Sequence, residues 1–203
     1  MMNRNDLTKI GLLFVIVFFT SCASTGGVYT KGQYVDADRV DLLSDKFVEA
    51  DLQTISEQLT RSFLTSPLLA RQTAKPAVIV SLVTNATDEH IDILSLTNKI
   101  RTSLIKADRF TFLNERLREA MATEYEYQQS GYVNPETAKQ KGRQIGADWL
   151  ISGHITSIKQ PVGKQEIVYY KTTLEVTDLE TSAILWADEV EIKKAFQKKR
   201  VRP

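Results

Sequence analysis

Residues 166–178 read Glu166-Ile167-Val168-Tyr169-Tyr170-Lys171-Thr172-Thr173-Leu174-Glu175-Val176-Thr177-Asp178. Val168, Tyr170, Thr172, Leu174 and Val176 fall on one side, and Lys171, Thr173 and Glu175 on the other. A period of two marks a strand with one face against a core. The stretch before it, Asp148 to Lys159 (DWLISGHITSIK), reads as a strand, and Pro161 and Gly163 turn the chain between the two. After it, Glu180-Thr181-Ser182 makes a tight connection, and residues 182–194 alternate again, with Ile184, Trp186, Val190 and Ile192 as expected core residues. Three successive alternating strands joined by short turns predict an antiparallel meander, apolar on one side.

Upstream, the pattern changes to strands separated by helices. Val48, Leu52, Ile55, Leu59 and Phe63 recur at spacings of three and four, one apolar stripe on a helix that Ser44 or Asp45 would cap and Pro67 would end. Ala77 to Val83 (AVIVSLV) is a short uncharged β-branched run, a buried central strand, and Thr84 to His90 reads as a polar loop. A second helix is expected from Asp92 to Lys106, facing inward with Ile93, Leu96, Ile100 and Leu104, followed by a short strand, Phe110 to Leu113. A third helix, from Asn114 to Gln128, would turn Leu117 and Met121 inward. Asn134 and Pro135 open a fourth, with Gly146 as its left-handed terminus. Parallel strands need such crossovers. The predicted fold is α/β: a single sandwich domain over residues 44–196, with a mixed sheet of about five strands, an antiparallel C-terminal meander and about four helices.

The N-terminal end has a different organisation. Arg4 and Lys9 precede an uncharged run from Ile10 to Phe19, and Ser21 then stands before Cys22, the only cysteine. A basic start and an apolar run of about ten residues fit a secretory signal over residues 1–21, too short to span a bilayer of ~30 Å as a helix. The stretch resembles a bacterial lipoprotein signal, which implies cleavage before Cys22 and acylation of its thiol. Ala23 in place of aspartate then implies sorting to the outer membrane, with the protein facing the periplasm. Two or more acyl chains hold a protein firmly, at ~0.8 kcal/mol per buried methylene. Residues 22–43, with Ser24, Gly26, Gly27 and Gly32, read as a flexible tether. Its reach is roughly 70 Å fully extended and ~25 Å as a coil. Residues 197–203 form a basic, disordered tail.

Charge and motifs narrow the function. Basic residues number 26 and acidic residues 25, so no global field favours nucleic acid. His90 and His154 have no carboxylate or thiol at ligand spacing, and acylation of Cys22 leaves no free thiol. No nucleophile elbow, phosphate loop or metalloprotease motif occurs. Glu115, Glu119, Glu124 and Glu126, interspersed with Arg116 and Arg118, read as a solvated helix face. The reading is a non-enzyme with no metal, no small-molecule substrate and no cofactor beyond the acyl chains and diacylglycerol on Cys22. Tyrosine offers a flat apolar area with a polar tip, so Tyr125, Tyr127 and Tyr132 between two helices are candidate partner contacts, together with the outward strand positions Tyr169, Lys171 and Glu175.

Two passages carry a family resemblance. Ala138 to Ile155 (AKQKGRQIGADWLISGHI) and Leu174 to Lys193 (LEVTDLETSAILWADEVEIK) resemble the penicillin-binding protein activator LpoB family. Thr84 to Thr87 and Phe112 to Arg116 add shorter matches. The first passage is also similar to related α/β domains, those of CsgG-type secretion lipoproteins and the N-terminal domain of TolB. The resemblance implies a monomeric outer-membrane lipoprotein that docks on a class A penicillin-binding protein and raises its activity in peptidoglycan synthesis. The alternative implied by the wider resemblance is a CsgG-like subunit or adaptor of an envelope or secretion assembly.

Overall fold

The computed structural model describes residues 44–197. The signal, Cys22, the tether and all but the first residue of the tail lie outside them. The elements are helix α1 (Glu49–Leu64), the one-turn helix α2 (Pro67–Ala70), strand β1 (Ala77–Val80), strand β2 (Thr84–Asn85), helix α3 (Ile93–Lys106), strand β3 (Thr111–Phe112), a 3-10 turn (Glu115–Leu117), helix α4 (Arg118–Gln128), and strands β4 (Trp149–Val162), β5 (Gln165–Asp178) and β6 (Ile184–Gln197). One mixed sheet has the order β3-β1-β4-β5-β6, with β2 also pairing with β4. Pairings among β1, β2, β3 and β4 are parallel, and β4, β5 and β6 form the antiparallel meander. The sheet therefore has six strands: the expected Ala77 strand ends at Val80, the chain bends at exposed Ser81 and Leu82, and Thr84 and Asn85, expected in a polar loop, pair with β4 as β2.

The core lies on one face of this sheet. Ile55, Leu59 and Phe63 of α1 and Leu96, Ile100 and Leu104 of α3 pack on Val78, Val80, Ile151, Ile155, Val168, Tyr170, Leu174, Val176 and Val190. The i, i+4 stripes of the helices supply one wall and the alternate residues of the strands the other. Phe63 stacks on Phe110 at 5.3 Å and tilts against Trp186 at 4.8 Å, joining the two ends of the helix layer. Gly153 has a distinct reason to be glycine: a Cβ there would lie 2.5 Å from the Thr173 carbonyl oxygen of the neighbouring strand. Among the described residues no helix is long and apolar enough to cross a membrane.

Several local expectations are corrected. Helix α1 starts at Glu49, not near Ser44, because the carboxylate that serves its first turn is Asp51, which accepts the Val48 N–H at 2.8 Å. Pro67 does open a new helical turn after the break, with the Ser66 hydroxyl accepting from Leu69 N–H. Pro161 lies inside β4, whose outer edge has no partner beyond Ile155, and Gly163 and Lys164 make the hairpin turn. Ile184 is 61% exposed and is not a core residue. Val176 pairs with Trp186 but Thr177 pairs with Ile184, so Leu185 is an extra residue that bulges and turns Ile184 to the outer face. The fourth helix is absent: Gly142 takes φ +82 in the middle of its span, the Asn134 side chain accepts from Glu136 N–H in a turn, and Gly146 is not left-handed. Leu117 and Met121 are exposed, since α1 and α3 already fill the sheet's inner face and no later helix covers them.

A polar cluster closes one end of the core. Lys194 of β6 points inward and is almost fully buried. Its ammonium group pairs with Asp51, donates to the Lys46 carbonyl at 2.8 Å and lies 5.6 Å from the centre of the Tyr170 ring. Beside it, the Tyr170 hydroxyl donates to Glu89 at 2.9 Å, Phe47 N–H donates to the same carboxylate at 3.0 Å, and Lys159 lies 2.9 Å from its other oxygen. Burial pushes the Glu89 carboxyl up, but Lys159, Phe47 N–H and the Tyr170 hydroxyl together outweigh it and hold the group below its ordinary value. The cluster ties residues 45–51, where the domain begins, to strands β4, β5 and β6.

Removing one member of the buried pair leaves the other uncompensated. Lys194→Met should lower unfolding free energy by about 3–5 kcal/mol, and Asp51→Leu added to it should recover part of that loss; denaturant titration of the three proteins reads both. Glu89 gives a pH signature. Its lowered folded value means that its contribution is in place above the ordinary value of 4.5 and is lost as pH falls through the lowered one. Melting temperatures measured across the acid range should fall more steeply for the wild type than for Glu89→Gln; parallel curves would remove Glu89 from the account.

Candidate docking surface

The outer face of the meander is uncovered by α1 and α3, and β5 sets its chemistry. Tyr169, Lys171, Thr173 and Glu175 point to this side because the alternate residues are fixed inward. Neighbouring β6 presents Ala187, Glu189, Glu191 and Lys193 in register with them. Tyr169 donates its hydroxyl to Glu191 at 2.6 Å, which pushes the phenol up to about 12. Lys171 pairs with Glu189 at 3.0 Å. Glu175 lies opposite Ala187. The structure thus brings the three expected strand residues into one row, with two of them engaged by β6. His154 is exposed on this same face, and among the described residues no group of three His, Cys, Asp or Glu side chains converges as a metal site.

The tyrosines form a second surface, at α4. Tyr127 and Tyr132 stack at 6.0 Å between ring centres, and Tyr132 is 82% exposed. Tyr125 is half-buried and lies 3.4 Å from Gln144 Nε2, which donates to its hydroxyl. They sit between one helix and a run of turns, not between two helices. Tyr169, Lys171 and Glu175 therefore lie on the outer face of β5, and Tyr125, Tyr127 and Tyr132 on or just after α4. Of the four glutamates read as a solvated face, Glu115 departs: it pairs with Arg101 at 3.3 Å, whose guanidinium also donates to the Val80 carbonyl at 2.7 Å at the end of β1. Burial of Arg101 in that corner lowers its value from the ordinary one.

Sequence reasoning missed an open cleft beside α4. No residue of α4 is buried. A cleft of about 420 Å³ runs between α4 and residues 143–145, lined by Leu113, Met121, Tyr125, Ile145, Arg118 and Arg143 among others. The signal in the sequence is the four-residue spacing of Leu117, Met121 and Tyr125; Leu117 and Met121 are expected to face inward, and the structure leaves both exposed. Lys139 N–H donates to Gln128 at 2.7 Å, and Gln144 reaches Tyr125, so the turn segment is held beside the helix by polar contacts.

Comparison with known proteins places the chain in a family. The family described as peptidoglycan-synthase activator LpoB matches residues 51–192, from the first turn of α1 to near the end of β6. Among solved structures, the C-terminal domain of LpoB from Escherichia coli is 14% identical, covering 71% of this chain and 99% of that one with a TM-score of 0.45. The corresponding domain from Salmonella enterica is 15% identical, covering 73% and 99%, with a TM-score of 0.42. A lipoprotein from Neisseria meningitidis, GNA1162, is 9% identical, covering 62% and 88%, with a TM-score of 0.39. No curated protein matches. On the match over residues 51–192, the chain belongs to the LpoB family of peptidoglycan-synthase activators.

Proposed function

We propose that this protein is an outer-membrane lipoprotein, anchored through acylated Cys22, that binds a class A penicillin-binding protein and raises its rate of peptidoglycan synthesis. The observation that carries the reading is the family match, which spans nearly the whole described domain. The signal-like residues 1–21 with Cys22 behind them support the anchor. The activator performs no bond chemistry in this reading, acts as a monomer and needs no cofactor, metal or nucleic acid. It works by binding the synthase's active conformation more tightly than its inactive one. A tenfold activation needs about 1.4 kcal/mol of such differential affinity. Docking is proposed at the α4 side, where Tyr125, Tyr127 and Tyr132 lie, and secondarily at the β5 row of Tyr169, Lys171 and Glu175, where Glu189 and Glu191 must first release two of the three.

Glycan polymerisation from lipid II by a class A penicillin-binding protein of the same organism should speed up several-fold when the full chain is added in detergent. An unchanged rate with a folded, monomeric protein would falsify the activator reading and favour an adaptor of another envelope complex. Cys22→Ala should abolish incorporation of a labelled fatty acid and remove the protein from the outer-membrane fraction. Retention there with no label would show that something other than acylation holds it.

A further inference from the structure

We infer that the cleft between α4 and residues 143–145 is the primary docking site, and that it takes a protein segment carrying a large apolar side chain next to a carboxylate. The inference rests on the activator reading and specifies the partner's chemistry. Leu117, Met121 and Tyr125 recur every four residues along the 3-10 turn and α4, and Leu113, just after β3, lines the cleft together with Met121 and Tyr125. In a self-contained domain such a stripe would be buried. Here Leu117 is 48% exposed, Met121 38% and Ile145, across the cleft, 60%. Elsewhere in the domain the equivalent helix stripes, Ile55-Leu59-Phe63 and Leu96-Ile100-Leu104, are buried almost completely. The α4 stripe is left without a partner in its own chain, and the chain places it beside a concave surface.

Charge selects among possible occupants. Arg118 and Arg143 line the cleft from its two sides, one on α4 and one on the facing segment. Neither guanidinium has a hydrogen-bond or ion-pair partner among the described residues, and no carboxylate lines the cleft. Arg101, Arg109 and Arg116, by contrast, are each engaged by a carboxylate or a carbonyl within the domain. Two unpaired guanidinium groups beside an apolar floor match a carboxylate adjoining a large apolar side chain. Arginine and tyrosine around a desolvated apolar centre are also the composition of energetically dominant interface contacts. A phospholipid headgroup or a sugar polymer would engage the arginines but leave Met121 and Ile145 in water, which is why a protein segment fits better.

The test uses the full chain in detergent, with a class A penicillin-binding protein of the same organism immobilised as probe. Wild-type binding should weaken as salt rises. Arg118→Glu with Arg143→Glu should weaken it at least tenfold, with unchanged circular dichroism and melting temperature, while lysine at both positions should cost only a few-fold. A photo-reactive residue at Met121 should cross-link to a synthase peptide that holds aspartate or glutamate beside a large apolar residue. Undiminished binding by the double glutamate variant, or cross-links from Tyr169 and none from Met121, would overturn the cleft while leaving the activator reading intact. Arginine-dependent binding to phosphatidylglycerol vesicles with synthase binding unaffected would assign the cleft to lipid and overturn it too. Failure of the wild type itself to bind the synthase would sink both readings, and is distinguished by that control.

Discussion

Five side chains of β5, from Val168 to Val176, point the same way over nine residues and are each covered almost completely. The rest of the domain is arranged around keeping that row dry. Strands β4 and β6 extend it sideways by antiparallel pairing, which puts Ile151 and Ile155 on one flank and Trp186, Val190 and Ile192 on the other. Helices α1 and α3 lie across it because each carries one apolar stripe and no more. A one-residue slip anywhere in this meander would exchange the inner and outer rows. The Leu185 bulge shows that exchange locally: beyond it, Ile184 faces outward while Trp186 still faces the core.

The same row ends in polarity. Tyr170 belongs to it, and its hydroxyl, together with Lys194 and Lys159 on flanking strands, meets Asp51, Glu89 and the backbone of residues 46 and 47. The buried Lys194–Asp51 pair costs desolvation, which its hydrogen bonds and opposite charges offset when all are present; the neighbouring Glu89–Lys159 pair is buried at Glu89 and open to solvent at Lys159. The physical consequence is location. The chain enters the domain at this corner, directly downstream of the segment read as a tether, and the cluster fixes that entry against three strands.

The opposite part of the domain is built to be incomplete. Residues 113–148 hold exposed tyrosines, a helix with no buried residue and two arginines without partners among the described residues, beside a fully closed core. A regulator that works through binding needs a stable body and an apolar surface kept open for its partner. The core around β5 is such a stable body, and α4 with its cleft is an apolar surface left open. The outer row of β5 is better satisfied, since Glu189 and Glu191 already occupy Lys171 and Tyr169.

Much of this was legible in the residues. Alternation in 166–178, the stripes of α1 and α3 and the β-branched run at Ala77 determined a mixed α/β sheet with a C-terminal meander, because periodicity follows from which side of an element is buried. Tertiary structure alone decided the rest. Periodicity says that Leu117 and Met121 share a face, but only the packing shows that the core is already full and that face stays open. Asn134-Pro135 has the local marks of a helix start, but Gly142 and the absence of a surface to cover leave turns instead. Lys194 reads as one more charge near a basic tail, and only the register of β6 turns it inward to meet Asp51, from residues more than a hundred positions earlier. Local sequence specifies periods and caps; which stripe finds a partner depends on the space that the other elements leave.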